Sequence, residues 1–103
     1  GMPAFDEELF GPVASFVRTE SEDEAFELAA HSKYGLGTTV FTTDTERALK
    51  STGKVPDGAY FINELVKSDP RLPFGGTKNS GYGRELSREG ILEFVNKKTV
   101  YVK

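Results

Sequence analysis

Gly37-Thr-Thr-Val-Phe-Thr-Thr43 and Ala59-Tyr-Phe-Ile-Asn63, with a helix-forming stretch between them, decide the fold class. Both segments carry the β-branched and aromatic residues that suit a pleated surface, so each is predicted to be a strand. The second is nearly continuous in apolar residues, the pattern of a strand covered on both faces. Between them Thr43 and Glu46 stand in capping-box spacing for a short helix, and Pro56-Asp57-Gly58 breaks the chain before the second strand. Strand, helix, strand in that order implies parallel pairing through a right-handed crossover.

Working outward, Ser21 and Glu24 form a second capping box, with Phe26, Ala29 and Ala30 at helical spacing and His31, Lys33 and Gly35 closing the last turn. Ala14-Ser-Phe-Val-Arg-Thr19, after the Gly11-Pro12 breaker, reads as a further strand. On the other side, residues 64–86 hold Pro70, Pro73 and four of the eleven glycines, which predicts a long irregular loop. Ser87 is placed to cap a last helix carrying Ile91, Leu92 and Val95, and Lys98-Thr-Val-Tyr-Val-Lys103 reads as a terminal strand. The expected fold is α/β: a three-layer, mostly parallel β-α-β-α-β unit with a long Gly/Pro loop, a last helix and a C-terminal strand. Such a sheet has open edges, so the terminal strand either closes its own sheet or adds to another chain or to a missing domain.

Composition narrows the function. An apolar share of 37%, with eight Phe and four Tyr, supplies one modest core. A formal charge of −3 gives no electrostatic excess toward phosphate backbones or anionic membranes, so no nucleic-acid partner and no membrane partner are expected. No apolar run approaches the roughly 20 residues of a membrane helix, and the first residues lack a signal-peptide order; the expected setting is cytoplasmic. Without cysteine there is no disulfide, no thiolate metal site and no thiol nucleophile, and a single histidine argues against zinc. His31, at a helix end, receives no catalytic role. Gly1, ahead of Met2, is set aside from the fold reading.

Two segments carry candidate chemistry. In Glu7-Glu8-Leu9-Phe10-Gly11-Pro12 a carboxylate suited to both hydroxyls of a ribose stands near a ring suited to a flat heterocycle; the plainer reading is a solvated acidic pair beside a buried phenylalanine. In Leu72-Pro73-Phe74-Gly75-Gly76-Thr77-Lys78-Asn79-Ser80-Gly81-Tyr82-Gly83-Arg84-Glu85 the glycines suggest tight turns. A phosphate loop is excluded there, because Asn79 follows Lys78 and no strand-to-helix glycine spacing is present.

Taken together, these segments resemble the closing signatures of the aldehyde dehydrogenase superfamily. Glu8-Leu-Phe-Gly-Pro12 resembles its E-x-F-G-P element, Tyr34-Gly-Leu-Gly37 its Y-G-L segment, Asn63 its strand-end asparagine, and Pro73-Phe-Gly-Gly76 through Gly83-Arg-Glu85 its P-F-G-G-x-K-x-S-G-x-G-R-E run. The resemblance covers nearly the whole chain.

In that family a cysteine thiolate attacks the aldehyde, hydride passes to NAD or NADP, and a glutamate-activated water releases the acid. The resemblance therefore implies that residues 1–103 are the C-terminal part of a catalytic domain. The dinucleotide-binding domain, the cysteine and the general base would belong to a missing N-terminal portion, and no catalytic residue and no metal ligand are assigned to this chain. Glu8 would hold the nicotinamide ribose, Phe10 would press near the nicotinamide ring, and Phe74 would line the aldehyde pocket or simply pack. Leu65-Val-Lys-Ser-Asp-Pro-Arg-Leu-Pro73 resembles the semialdehyde-oxidising branch, with succinate semialdehyde as the implied substrate. Ser68, with Lys67 or Arg71 nearby, would then meet a distal carboxylate, the alternative being a solvated polar loop. Arg84 and Glu85 are expected to pair within the loop. Oligomerisation through residues 98–103 and inactivity of the chain alone are the further implications. The rival reading is a non-catalytic truncated or assembly module.

Overall fold

In the computed structural model, which describes residues 2–103, the elements run in order. They are α1 (Pro3–Asp6), α2 (Glu22–His31), β1 (Tyr34–Gly35), β2 (Thr38–Val40), α3 (Thr45–Lys50), a 3-10 turn (Thr52–Lys54), β3 (Tyr60–Ile62), β4 (Thr77–Lys78) and α4 (Ser87–Leu92). Gly1 lies outside the described residues.

The central expectation holds. β2 and β3 pair in parallel, with Thr38 opposite Tyr60, Thr39 opposite Phe61 and Val40 opposite Ile62, and α3 forms the crossover. The pairing extends past β3 through Asn63. Its backbone N–H donates to Val40 O at 2.9 Å, and its side-chain amide both accepts from Thr42 N and donates to Thr42 O, each at 2.8 Å. Asn63 sits at φ 57°, a left-handed conformation that asparagine tolerates better than most residues. Its amide thus continues the ladder where its own backbone has turned away.

α2 begins as its sequence requires. Ser21 Oγ accepts from Glu24 N at 3.1 Å, and the Glu24 carboxylate accepts from Glu20 N at 2.7 Å. Glu22, Asp23 and Glu24 in the first turn suit the positive end of the helix. α3 is capped by Asp44, which accepts from Arg47 N at 3.0 Å; the expected Thr43 cap is displaced by one residue, because the carboxylate reaches the first-turn amide. Phe26 from α2, Ala48 from α3 and Val55 form the buried apolar core. Buried Ser51 satisfies itself by donating to Ala48 O at 2.9 Å and bonding the Tyr60 hydroxyl at 2.8 Å. Ion pairs join Arg47 to Glu22, and Lys54 to Asp23 at 2.6 Å, while the Lys54 ammonium stands 5.0 Å from the Phe26 ring centroid.

Three expectations are corrected. Instead of a three-stranded parallel sheet, the described residues form two sheets of two strands, β2-β3 parallel and β1-β4 antiparallel. Residues 14–19 and 98–103 form no strand: a strand exists only with a neighbour, and among the described residues no segment pairs with either. Phe16, Val100, Tyr101 and Val102 are accordingly exposed. Ser87 is the first residue of α4 and not its cap; Leu86 holds that place at φ 63°, and the Ser87 hydroxyl donates to Glu89 at 2.6 Å. The radius of gyration is 17.2 Å, against about 13 Å for a compact chain of this size.

Candidate functional site

The glycine-rich stretch, expected to be irregular, is a clip held at both ends. Phe74 and Glu85 exchange both backbone hydrogen bonds, Phe74 N to Glu85 O at 2.9 Å and the reverse at 2.8 Å. Within the clip β4 lies antiparallel to β1, Tyr34 facing Lys78 and Gly35 facing Thr77. Thr77 Oγ1 donates to Pro56 O at 2.6 Å, Ser80 Oγ accepts from Gly35 N at 3.0 Å, and Arg84 Nη1 donates to Gly76 O at 3.0 Å and Gly83 O at 2.6 Å. Gly58 lets β3 meet the clip, since a Cβ there would stand 1.7 Å from Gly75 O. Arg84 therefore pairs within the loop as expected, but with carbonyls. Glu85 takes part through its backbone.

Lys78 ties the clip to α2. Its ammonium donates to Ala30 O at 2.7 Å and Ser32 O at 2.8 Å, at the helix end whose carbonyls lack intrahelical partners. Sequence reading missed this role. The residue gives no local signal, because its partners lie more than forty positions upstream (|i−j| of 48 and 46).

Phe74 is half-buried between two concavities. One is shared with Tyr60, Phe61, Asp69 and Leu72, and the other with Leu36, Tyr82, Arg84 and Glu93. Glu8 and Phe10 share a third, shallow one with Leu9, Gly11 and Val13. Phe10 is 95% exposed, which corrects any expectation of a buried ring there. Ser68 is exposed and lines none of these three hollows. Glu8 and Phe10 thus share one shallow surface, while Phe74 lines the other two hollows and Ser68 lines none of the three.

The cations proposed beside Ser68 are already engaged. Lys67 Nζ bonds Glu64 at 2.9 Å; Arg71 forks onto Asp69, Nε to Oδ1 at 2.9 Å and Nη2 to Oδ2 at 2.6 Å. The hydrogen bond from Lys67 lowers the Glu64 carboxyl, and that from Arg71 holds Asp69 far below the usual carboxylate range. Asp69 also accepts from Arg71 N at 2.9 Å, an Asx turn that the Asp-Pro dipeptide signals and that the sequence reading passed over. Among the described residues no group of three His, Cys, Asp or Glu side chains is placed to hold a metal ion, and no helix is long and apolar enough to cross a membrane.

Residues 1–100 match the family model described as the aldehyde dehydrogenase family. The chain is 52% identical over 99 residues to a succinate-semialdehyde dehydrogenase, NADP(+), of Deinococcus radiodurans, covering 96% of this chain and 21% of that protein. It is 48% identical over 101 residues to succinate-semialdehyde dehydrogenase, NADP(+), 1 of Mycobacterium tuberculosis, covering 98% of this chain and 22% of that protein. Among solved structures, succinic semialdehyde dehydrogenase from Streptococcus pyogenes in complex with NADP+ superposes with a TM-score of 0.90 at 47% identity, over 95% of this chain and 22% of the other. The chain spans about a fifth of the length of the relatives it matches.

Proposed function

This chain belongs to the aldehyde dehydrogenase family, and from that premise we propose that it forms one wall of the active site of an enzyme oxidising succinate semialdehyde to the dicarboxylate with NAD or NADP. The relatives named for that substrate, and the semialdehyde-type loop 65–73, support the choice. In this reading residues 1–103 are the C-terminal part of the catalytic domain, and residues 98–103 the segment that adds as a strand in an oligomer.

The carrying observation is a division of labour among the side chains. Lys78, Thr77, Ser80 and Arg84 are spent on backbone carbonyls and amides, whereas Glu8, Phe10 and Ser68 face outward with no bond to another described residue. An open carboxylate has two oxygens for a vicinal diol, and a bare ring offers a face to a planar heterocycle, so Glu8 and Phe10 fit the ribose and the ring of a nicotinamide. NAD or NADP, when bound, supplies the hydride acceptor. Glu8 would fix its position and Phe10 its distance from the aldehyde carbon. Phe74 would wall the aldehyde chain, and Ser68 would donate to its distal carboxylate.

The chain has no cysteine, so the nucleophile must be supplied by other polypeptide, and we infer that this chain alone does not turn over. The purified chain with succinate semialdehyde and either cofactor should give no absorbance rise at 340 nm; turnover above blank refutes the inference. One observation is common to this reading and to the rival, a non-catalytic assembly module. The accessible surface is 8464 Å², against about 5,700 Å² for a compact protein of this mass. In the catalytically complete enzyme, Glu8→Gln should raise KM for the cofactor while sparing KM for the aldehyde. A variant with unchanged kinetics would favour the rival.

A further inference from the structure

The five residues between Ser68 and Phe74 are more firmly built than an exposed surface loop requires. Pro70 follows Asp69 in a turn closed by Leu72 N donating to Asp69 O at 2.9 Å, with proline at the position whose φ it presets. The Asp69 carboxylate accepts from Arg71 three times, from the backbone N–H and from both sides of the guanidinium fork. Pro70 O accepts from Ser87 N at 3.1 Å, which pins the turn to the start of α4. Beyond it, Phe74 is held by its paired bonds to Glu85. Asp69 is mostly covered, its side chain 24% exposed, while that of Arg71 is 85% exposed. An exposed ion pair contributes little to stability, so the geometry it imposes is the more telling consequence.

We propose that Asp69 is a positioning residue that sets the span between Ser68 and Phe74, and that Arg71 serves the Asp69 carboxylate and not the carboxylate of the substrate. This rests on the reading that Ser68 and Phe74 face the aldehyde. Arg71 is the residue that charge alone would assign to a semialdehyde's distal carboxylate. Its planar fork is already filled by a carboxylate two residues away, and swinging free would open the turn that presents Ser68.

The test compares Asp69→Ala, Asp69→Asn, Arg71→Met and Ser68→Ala in the catalytically complete enzyme, with succinate semialdehyde and with pentanal, which lacks the distal charge. Asp69→Ala should raise KM for succinate semialdehyde about tenfold with kcat within about twofold, since a displaced contact is lost in binding. Arg71→Met, which leaves the Asx turn, should raise it less. Asp69→Asn, whose amide oxygen still accepts from the Arg71 N–H, should return KM to within about threefold of the parent. KM for pentanal should stay within about twofold for all three, because the bonds to Glu85 hold Phe74 independently. The opposite ranking, with Asp69→Ala neutral or improved and Arg71→Met severe, makes Arg71 a direct ligand and overturns the proposal. Equal loss with both aldehydes also overturns it. Ser68→Ala separates the premises: no effect removes the substrate reading and with it the object being positioned, while a raised KM beside a neutral Asp69→Ala sinks the positioning role alone. In the chain itself, amide exchange at Arg71 and Leu72 should quicken in Asp69→Ala, and unchanged exchange would refute the turn.

Discussion

Replacing Gly58 by alanine should detach the glycine-rich clip from the β2-β3 sheet. The added Cβ would stand 1.7 Å from Gly75 O and 2.7 Å from Gly75 C, where carbon contacts are comfortable only beyond about 3.5 Å. The obstacle is backbone, so no rotamer change relieves it. β3 and the clip would have to part by more than an ångström, straining the Gly58 N to Gly35 O bond at 3.1 Å and the Thr77 to Pro56 bond at 2.6 Å. Gly58 does not use a left-handed φ, so the cost is steric and not conformational. Overpacking of this severity costs about 3 kcal/mol, a large part of a small domain's stability. Urea unfolding read by tyrosine fluorescence and far-UV circular dichroism measures it, the chain having four Tyr and no Trp. Gly53→Ala is the control: nothing lies within 4 Å of its Cβ, and it should be neutral or stabilising by up to about 1 kcal/mol. A Gly58→Ala chain within about 0.5 kcal/mol of the parent would refute the close approach.

Lys78→Met removes the ammonium that caps α2 and leaves the backbone alone; with the freed carbonyls open to water, the loss should be about 1 kcal/mol, or roughly 4–8 °C in Tm. A thermal scan matching the parent, or a Lys78→Arg variant as impaired as Lys78→Met, would contradict that role. Acid should weaken the fold over a window that reaches below the ordinary carboxylate range. Asp23, Glu64 and Asp69 are lowered first by hydrogen bonds from Lys54, Lys67 and Arg71, so each contributes fully above its unfolded pKa and loses that contribution as pH falls through the lower folded value. The urea midpoint should therefore decline from about pH 5 toward about pH 2, less steeply in high salt, and a flat profile would contradict the pairings.

What the residues disclose locally is what folded as read. The β2-α3-β3 unit follows from β-branched runs around a short amphipathic stretch, and α2 follows from its capping box. Residues 14–19 and 98–103 were read as strands on the same propensities, yet propensity describes fit to a pleated surface and is silent on whether a neighbour exists. The glycine-rich stretch misled in the other direction. Its order comes from Lys78, Thr77, Ser80 and Arg84 binding backbone groups, most of them far away in sequence, which no periodicity encodes. At the candidate site Glu8 and Phe10 became legible only through their motif, since an exposed acid and an exposed ring are individually ordinary. The pairing of Lys67 with Glu64 and of Arg71 with Asp69 was within reach of sequence reading, because the partners are three and two residues apart.

The two small sheets also impose an order of events. The Thr42 to Asn63 clamp closes a loop of 21 residues with a helix already inside it, while the Gly35 to Thr77 contact closes one of 42. Doubling the loop adds about 0.6 kcal/mol of closure entropy, and the longer closure also needs β3 in place to receive Gly75. The crossover unit should therefore nucleate and the clip dock onto it afterwards. On this ordering, substitutions in β2 and β3 slow folding, whereas substitutions at Lys78 and Arg84 mainly hasten unfolding.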